Sequence, residues 1–267
     1  DWLATRLVTN DSALHGLYVA ALNCALSAYH EDGVRAPAEG PAYRGLTDAA
    51  EGEGLAATSP CAAYWCAQAL LPFRPEQVRE TILTLARAVD GEGRLPLAVP
   101  TQPGSEPPPW QRDACDSPSY FALLVHDYLC WTDDQSILDV RDGGMSTWEK
   151  ALACVKHVRS LDTNHDSLIE KRREQPDWAA DVLRDDWVTY DMALHYQALK
   201  ATGEVALLRG EEAAADDFAD WGRNAARAIN GRLWNEGRGH YVDYLRSYQG
   251  FVEGHAAIDT VITTLYG

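Results

Sequence analysis

Basic residues are scarce in this chain: 23 Lys and Arg stand against 40 Asp and Glu, for a formal charge of -17. Nucleic-acid binding through phosphates needs clustered cations that release counterions, so that class is not expected, and neutral or cationic partners fit better. No run approaches the roughly 20 apolar residues that span a bilayer, and no basic segment followed by apolar and small residues opens the chain, so no membrane association is expected. The six cysteines form no C-x-x-C pair, which argues against a zinc site. A nucleophile elbow, a phosphate loop and a dinucleotide fingerprint are all missing, and no cofactor is expected.

What remains is an ordinary globular composition, 46% hydrophobic and 24% charged over 267 residues, enough for one large core. Cys66, Cys130 and Cys154 lie among apolar residues of predicted helices and read as buried free thiols. That favours a reducing, cytoplasmic setting unless a leader has been removed. The chain begins at Asp1 without a methionine and stops at Leu265-Tyr266-Gly267 inside a predicted helix, so a fragment of a larger domain is expected. The oligomeric state is not legible.

Two kinds of helix alternate. Residues 61 to 71 carry no charge at all and 119 to 125 are nearly as apolar, so such helices must be covered on every side. In the second kind Val78, Ile82, Leu85 and Val89 share one face while Glu76, Arg79, Glu80 and Arg87 take the other. Residues 146 to 160 continue that set behind a Ser146-Thr-Trp-Glu149 capping box, as do 211 to 230, where Phe218, Trp221, Ala225 and Ile229 align. Further apolar segments begin near Val188 and Gly254. Related turns follow the surface helices, starting at Asp90, Asp162 and Trp234, evenly spaced by 72 residues.

The long loops, about residues 31 to 58, 91 to 116, 162 to 187 and 232 to 253, all run from a surface helix to the next buried one. In antiparallel hairpins this puts them at one end of the stack. The expectation is an all-α, single-domain α/α toroid with buried helices inside, surface helices outside and a short β-hairpin near 239 to 246. An open solenoid is the alternative. The loop-bearing face would collect Trp110, Asp113, Asp116, Asp177, Trp178, Asp181, Asp185, Asp186, Trp187, Tyr190, Trp234, Tyr241, Tyr244 and Glu253. Aromatic platforms beside carboxylates suit a sugar, and a carboxyl crowded by like charges and apolar rings keeps its proton longer. Asp177 or Asp181 therefore reads as a general acid, whereas Asp185 and Asp186, just ahead of a helix, read as caps.

Asp116-Ser-Pro-Ser-Tyr-Phe121, Asp162-Thr-Asn-His-Asp-Ser-Leu-Ile169 leading into Pro176-Asp-Trp-Ala-Ala-Asp181, and Ala193-Leu-His-Tyr-Gln-Ala-Leu199 together resemble the six-hairpin glycosidases. That (α/α)6 superfamily includes glucoamylases, glycogen-debranching glucosidases, α-L-rhamnosidases and trehalases. The last stretch is similar to the debranching enzymes' Ala-Leu-Trp-Tyr-Asn-Ala-Leu helix. The resemblance implies hydrolysis of an oligosaccharide or glycoside with inversion, a general acid in the loop before the sixth helix, and a base near the eleventh. It points to Asp181, then Asp177, as acid, and to Glu253 as the nearest available candidate for the base. Asp116, Trp110, Trp178, Trp187 and Tyr190 would hold the sugar. The debranching enzymes' acid lies two positions after the Trp, where this chain has Ala180. Six hairpins at this spacing would need roughly 430 residues, more than are present.

Asp162, Asn164 and Asp166 imitate a calcium loop, but Ser167 replaces its Gly and Arg173 its final Glu, so an Asx-rich turn is expected. His126, His157 and His195 are read as packed side chains without a partner at i+4 to make a metal pair, and no metal is expected. Pro107-Pro-Pro-Trp110 reads as a stiff loop presenting Trp110. Two further classes stay open: a non-catalytic helical-repeat domain that binds a glycan or protein, and a toroidal lyase or epimerase using His and Tyr as proton carriers.

Overall fold

The computed structural model describes residues 12–27, 29–30, 45–46, 57–100, 105–179 and 182–254. Seven α-helices form among them: α1 Ser12–Ser27, α2 Pro60–Leu70, α3 Pro75–Ala88, α4 Ser117–Thr132, α5 Thr147–Arg159, α6 Thr189–Leu208 and α7 Glu212–Arg232. The apolar segment expected from Gly254 onward lies outside the described residues beyond Gly254 itself.

The helix ends follow local chemistry. Ser59 Oγ accepts the Ala62 N–H (3.4 Å) and Pro60 opens α2 where no amide donor is needed. Ser146 and Glu149 close the expected capping box, with Glu149 N–H on Ser146 Oγ (3.2 Å) and Ser146 N–H on Glu149 Oε2 (2.6 Å). Asp133 takes a left-handed φ of 53° at the end of α4.

Packing sorts the helices into two rows. Helix α4 contacts α2, α3, α5 and α6, so its run from Ser117 to Val125 is buried on all sides. The amphipathic helices bury one stripe each, in α7 through Ala215, Phe218, Gly222, Ala225 and Ile229. Trp221, aligned with that stripe, is only partly buried. Helices α2, α4 and α6 form the inner row, α3, α5 and α7 the outer one, and the described residues trace an arc of an α/α toroid rather than a closed ring. Trp65, Trp131, Leu207 and Leu208 are accordingly exposed on inner helices that the sequence pattern would have covered everywhere.

The loops at 91–116, 162–187 and 232–253 converge as expected, while most of 31–58 lies outside the described residues. Cys115 N–H donates to Pro176 O (2.9 Å) and Thr189 N–H to Asp243 O (3.0 Å). A three-stranded antiparallel sheet joins Trp187–Val188 to Tyr244–Arg246 and that strand to Phe251–Glu253. The single hairpin expected at 239 to 246 is replaced by two, Trp234–Asn235 with His240–Tyr241 and Tyr244–Arg246 with Phe251–Glu253. Gly239 (φ 68°) and Gly250 (φ 63°) supply the left-handed residues that turn each one. The 72-residue repeat has a physical basis in its first two turns: Asp90 Oδ1 accepts the Glu92 and Arg94 amides, and Asp162 those of Asp166 and Ser167.

Among the described cysteines none is bridged. Cys154 is buried as expected, but Cys66 is half-buried and Cys130 exposed, because the inner row is uncovered where they lie. No helix among the described residues is long and apolar enough to cross a membrane.

Phe121 of α4 is fully buried, so Phe121→Ala should cost about 3–5 kcal/mol through lost contacts and a cavity. Gly93 (φ 84°) brings its turn so close to α5 that a Cβ would meet Ala153 O at 2.1 Å. Chemical denaturation should find both Phe121→Ala and Gly93→Ala strongly destabilised, with Leu207→Ala, half out in solvent, little changed.

Candidate active site at the loop-bearing face

The amino ends of α4 and α6 bring four buried carboxylates and two buried cations together. Asp116 stands at the head of α4 but does not cap it. Its Oδ2 instead accepts the Trp178 N–H at 2.9 Å and the Tyr190 hydroxyl at 3.2 Å, and Tyr190 meets the Tyr120 hydroxyl at 2.9 Å. Burial raises the Asp116 carboxyl to about 6, and the nearby Asp177 charge adds to it.

Asp177 is fully buried and bound by two cations. Lys171 Nζ donates to its Oδ2, as does Arg184 at 3.0 Å, while Oδ1 accepts the Ala179 amide at 2.8 Å. Arg184 reaches on to Asp243 at 3.1 Å. Lys171 also faces Asp191, in the first turn of α6, at 3.8 Å. Both Asp191 oxygens lack a hydrogen-bond partner. Burial holds the Asp191 carboxyl well above the usual range, reinforced by Asp177 and Asp116 and opposed by Lys171. Burial disfavours the Lys171 charge, but Asp191 and Asp177 outweigh it and hold the ammonium above its ordinary value.

The predicted site residues divide sharply. Asp116, Asp177, Trp178 and Tyr190 come together. Asp181 lies outside the described residues. Trp178 is 47% exposed, its ring edge-on to Tyr190 with centroids 6.3 Å apart. Trp110 is 55% exposed on a one-turn 3-10 segment, Pro109–Gln111. Glu253 ends the outer strand of the three-stranded sheet, half-buried, its carbonyl accepting the Asp243 amide at 2.9 Å.

Three expectations are corrected by packing. Trp187 is buried, with the Arg232 guanidinium 4.9 Å from its ring centroid, so it has no open face for a sugar. Tyr190 is buried too and serves Asp116 through its hydroxyl rather than meeting solvent. Asp185 and Asp186 do not cap α6, whose capping position, Val188, makes no side-chain bond. They grip the following hairpin instead, Asp185 through Arg246 and Tyr248 and Asp186 through Ser247 N–H (2.6 Å) and Oγ (2.7 Å).

Sequence reading missed Lys171, Arg184, Asp191 and Asp243. In sequence Lys171 stands with Arg172 and Arg173, and Arg184 among acids; only their burial, which demands a partner for each charge, sets Lys171 and Arg184 apart. The Asp162 turn gathers Asp162, Asp166 and Glu170 oxygens within 4.8 Å of one another. Arg159 and Arg232 already pair with its first two acids, and the Asp166 amide bonds to Asp162 and Asn164 as in an Asx turn.

No protein-family model matches the chain, and no curated protein matches its sequence. Solved structures do share its fold. A GH78 family rhamnosidase of Bacillus sp. GL1 superposes on 97% of this chain and 25% of its own, at 18% identity and a TM-score of 0.67. An unsaturated glucuronyl hydrolase with dGlcA-Glc-Rha-Glc covers 96% of this chain and 67% of its own, at 11% and 0.62. A rhamnosidase from Klebsiella oxytoca with rhamnose bound covers 75% and 37%, at 17% and 0.56. The chain thus spans between a quarter and about two-fifths of the length of the two rhamnosidases. The fold is that of the α/α-toroid glycosidases.

The raised Asp116 and Asp191 carboxyls give a pH dependence of fixed sign. A group whose folded pKa lies above its unfolded value holds extra protons in the native state, so stability falls as pH rises between the two values. For Asp116 the window runs from about 4 to about 6. Asp116→Asn should flatten the loss of stability there by on the order of 2–3 kcal/mol, read from urea midpoints across that range. Lys171→Met leaves Asp177 and Asp191 facing each other with one cation fewer, and should cost about 3–5 kcal/mol by the same assay.

Proposed function

We propose that this chain carries a glycoside-hydrolase site at its loop-bearing face. The observation that carries the reading is Asp116. Its carboxyl, pushed up to about 6 by burial, holds the backbone N–H of the half-exposed Trp178 at 2.9 Å, next to an Asp177 charge fixed by two cations. A sugar stacked on Trp178 offers hydroxyl and glycosidic oxygens that need hydrogen bonds and a proton, and a water-poor carboxylate cluster supplies both.

The roles follow from what each group is free to do. Asp177 is engaged by Lys171 and Arg184, which suits a framework anion better than a proton donor. Asp181, four residues on in the same loop, takes the general acid role and protonates the leaving oxygen. Glu253, half-buried at the end of its strand, is the candidate to ionise and activate water on the opposite face of the sugar, and the expected inversion would need roughly 6.5–9.5 Å between the two carboxyls. Asp116, itself buried, would act on the substrate through Trp178, whose backbone it holds. Carbohydrate-acting neighbours of the same fold support the class; sugar and linkage are not assigned by them.

A second reading is a glycan-binding domain without turnover. It is favoured by the near-complete burial of Asp116 and Asp177, which suits acids that shape a surface. A lyase using Tyr120 or Tyr190 as base is disfavoured, because burial pushes both phenols up and away from ready ionisation.

Reducing-sugar release from a panel of rhamnosides, mannosides, glucosides and unsaturated glucuronides tests the proposal. Hydrolysis that falls by about 10²–10⁴ in Asp181→Asn, with a raised KM and smaller kcat change in Trp178→Ala, supports it. Saccharide binding without turnover by the full chain favours the second reading, and an ultraviolet-absorbing product would indicate elimination instead.

A further inference from the structure

At the far end of the inner helices lies a second group of reactive side chains, roughly 15 Å along α4 from Asp116 by helix rise. His126 and Cys130 sit at i and i+4 on α4, with Cys130 Sγ 3.5 Å from His126 Nε2. Helix α6 adds Glu204, whose Oε2 lies 2.9 Å from the same nitrogen. The three line a cavity of about 410 Å³ walled by Leu129, Val205 and Leu208. On its other edge the imidazole is oriented: Nδ1 lies 2.9 Å from Asp127 Oδ1, and Asp127 Oδ2 accepts Gln68 Nε2 at 2.8 Å.

We propose that His126 Nε2, Cys130 Sγ and a Glu204 carboxylate oxygen bind one divalent ion of the zinc class, clamping α4 to α6. The donor set carries the choice of ion. Nitrogen, sulfur and one carboxylate suit a borderline-soft tetrahedral metal, whereas calcium and magnesium want oxygen alone. Zinc–sulfur and zinc–nitrogen bonds at a tetrahedral angle put the two ligand atoms about 3.6 Å apart, close to the spacing the α4 backbone already provides. The Asp127–His126 contact is the carboxylate–histidine support that fixes a ligating ring and raises its basicity.

Glu204 is 63% exposed, so a rotamer change that turns it toward Cys130 is inexpensive. Binding breaks the Cys130 S–H bond, gives the sulfur electron pair to the metal and releases the proton to solvent. Any proton on Nε2 leaves likewise, from the place between His126 and Glu204 that the ion takes. The oxygen-only cluster of Asp162, Asp166 and Glu170 offers no such set, and its first two acids already pair with arginines. His126 has no second histidine at i+4, but it has Cys130 there. This site is independent of the glycosidase reading.

The test is titration of the full chain with cobalt(II), then zinc(II) competition. One equivalent should bind with a thiolate-to-cobalt charge-transfer band in the near ultraviolet, displaced by zinc. Cys130→Ser should abolish that band, Asp127→Asn should weaken binding by about 10–100-fold, and Asp162→Asn should leave it unchanged. Cys130 and Glu204 are both exposed, so Cys130→Ser and Glu204→Gln are expected to fold, checked by circular dichroism. Zinc should raise the Tm of the native chain and not that of Cys130→Ser. Absence of the band, its persistence in Cys130→Ser, or binding lost in Asp162→Asn but kept in His126→Gln would overturn the proposal.

Discussion

The mouth of this fold depends on charges that have nowhere else to go. Lys171 and Arg184 are buried, and both close on Asp177, itself fully buried. Each ion has given up its water, so its stability rests on its neighbours rather than on solvent. Lys171 and Arg184 bracket the loop that carries Asp177 and Trp178. Asp243 brings in the last long loop and Asp191 the first turn of α6. Two cations thereby fix the relative positions of two loops and one helix.

The same cluster sets the chemistry around it. Four buried carboxylates, Asp116, Asp177, Asp191 and Asp243, share two buried cations, and the surplus negative charge is relieved where protons are retained. Asp116 and Asp191 are those places. Asp116 also accepts the Trp178 backbone amide, so the electrostatics of the fold and the proposed sugar site are joined at that bond. The cations are therefore part of the proposed site, not background to it.

Helices α4 and α6 connect both ends of the molecule. Both are largely apolar, and polar side chains of the two helices meet at two separate levels. At the amino ends this yields the carboxylate cluster. Near the carboxyl ends it yields His126, Cys130 and Glu204, joined across the helix pair. A metal bound there would act on the same two helices that carry Asp116 and Asp191, a mechanical link between otherwise separate sites.

Much of the architecture was legible because it rests on local pattern. Apolar helices alternating with amphipathic ones, the Ser146–Glu149 box, the evenly spaced Asp turns and long loops sharing one end all follow from periodicity and chain direction. Partnership was not legible. Trp187 and Trp178 look alike in sequence, yet one is covered by Arg232 and the other half exposed. Asp185 and Asp186 stand where caps belong, but a hairpin some 60 residues on takes them. Composition and periodicity by themselves determined which helices are inner and where the loops go, since burial of apolar faces is a one-dimensional signal. Which acid is paired, which keeps a proton and which ring meets solvent was decided by tertiary structure alone, because Coulomb and desolvation energies depend on distances between residues far apart in the chain.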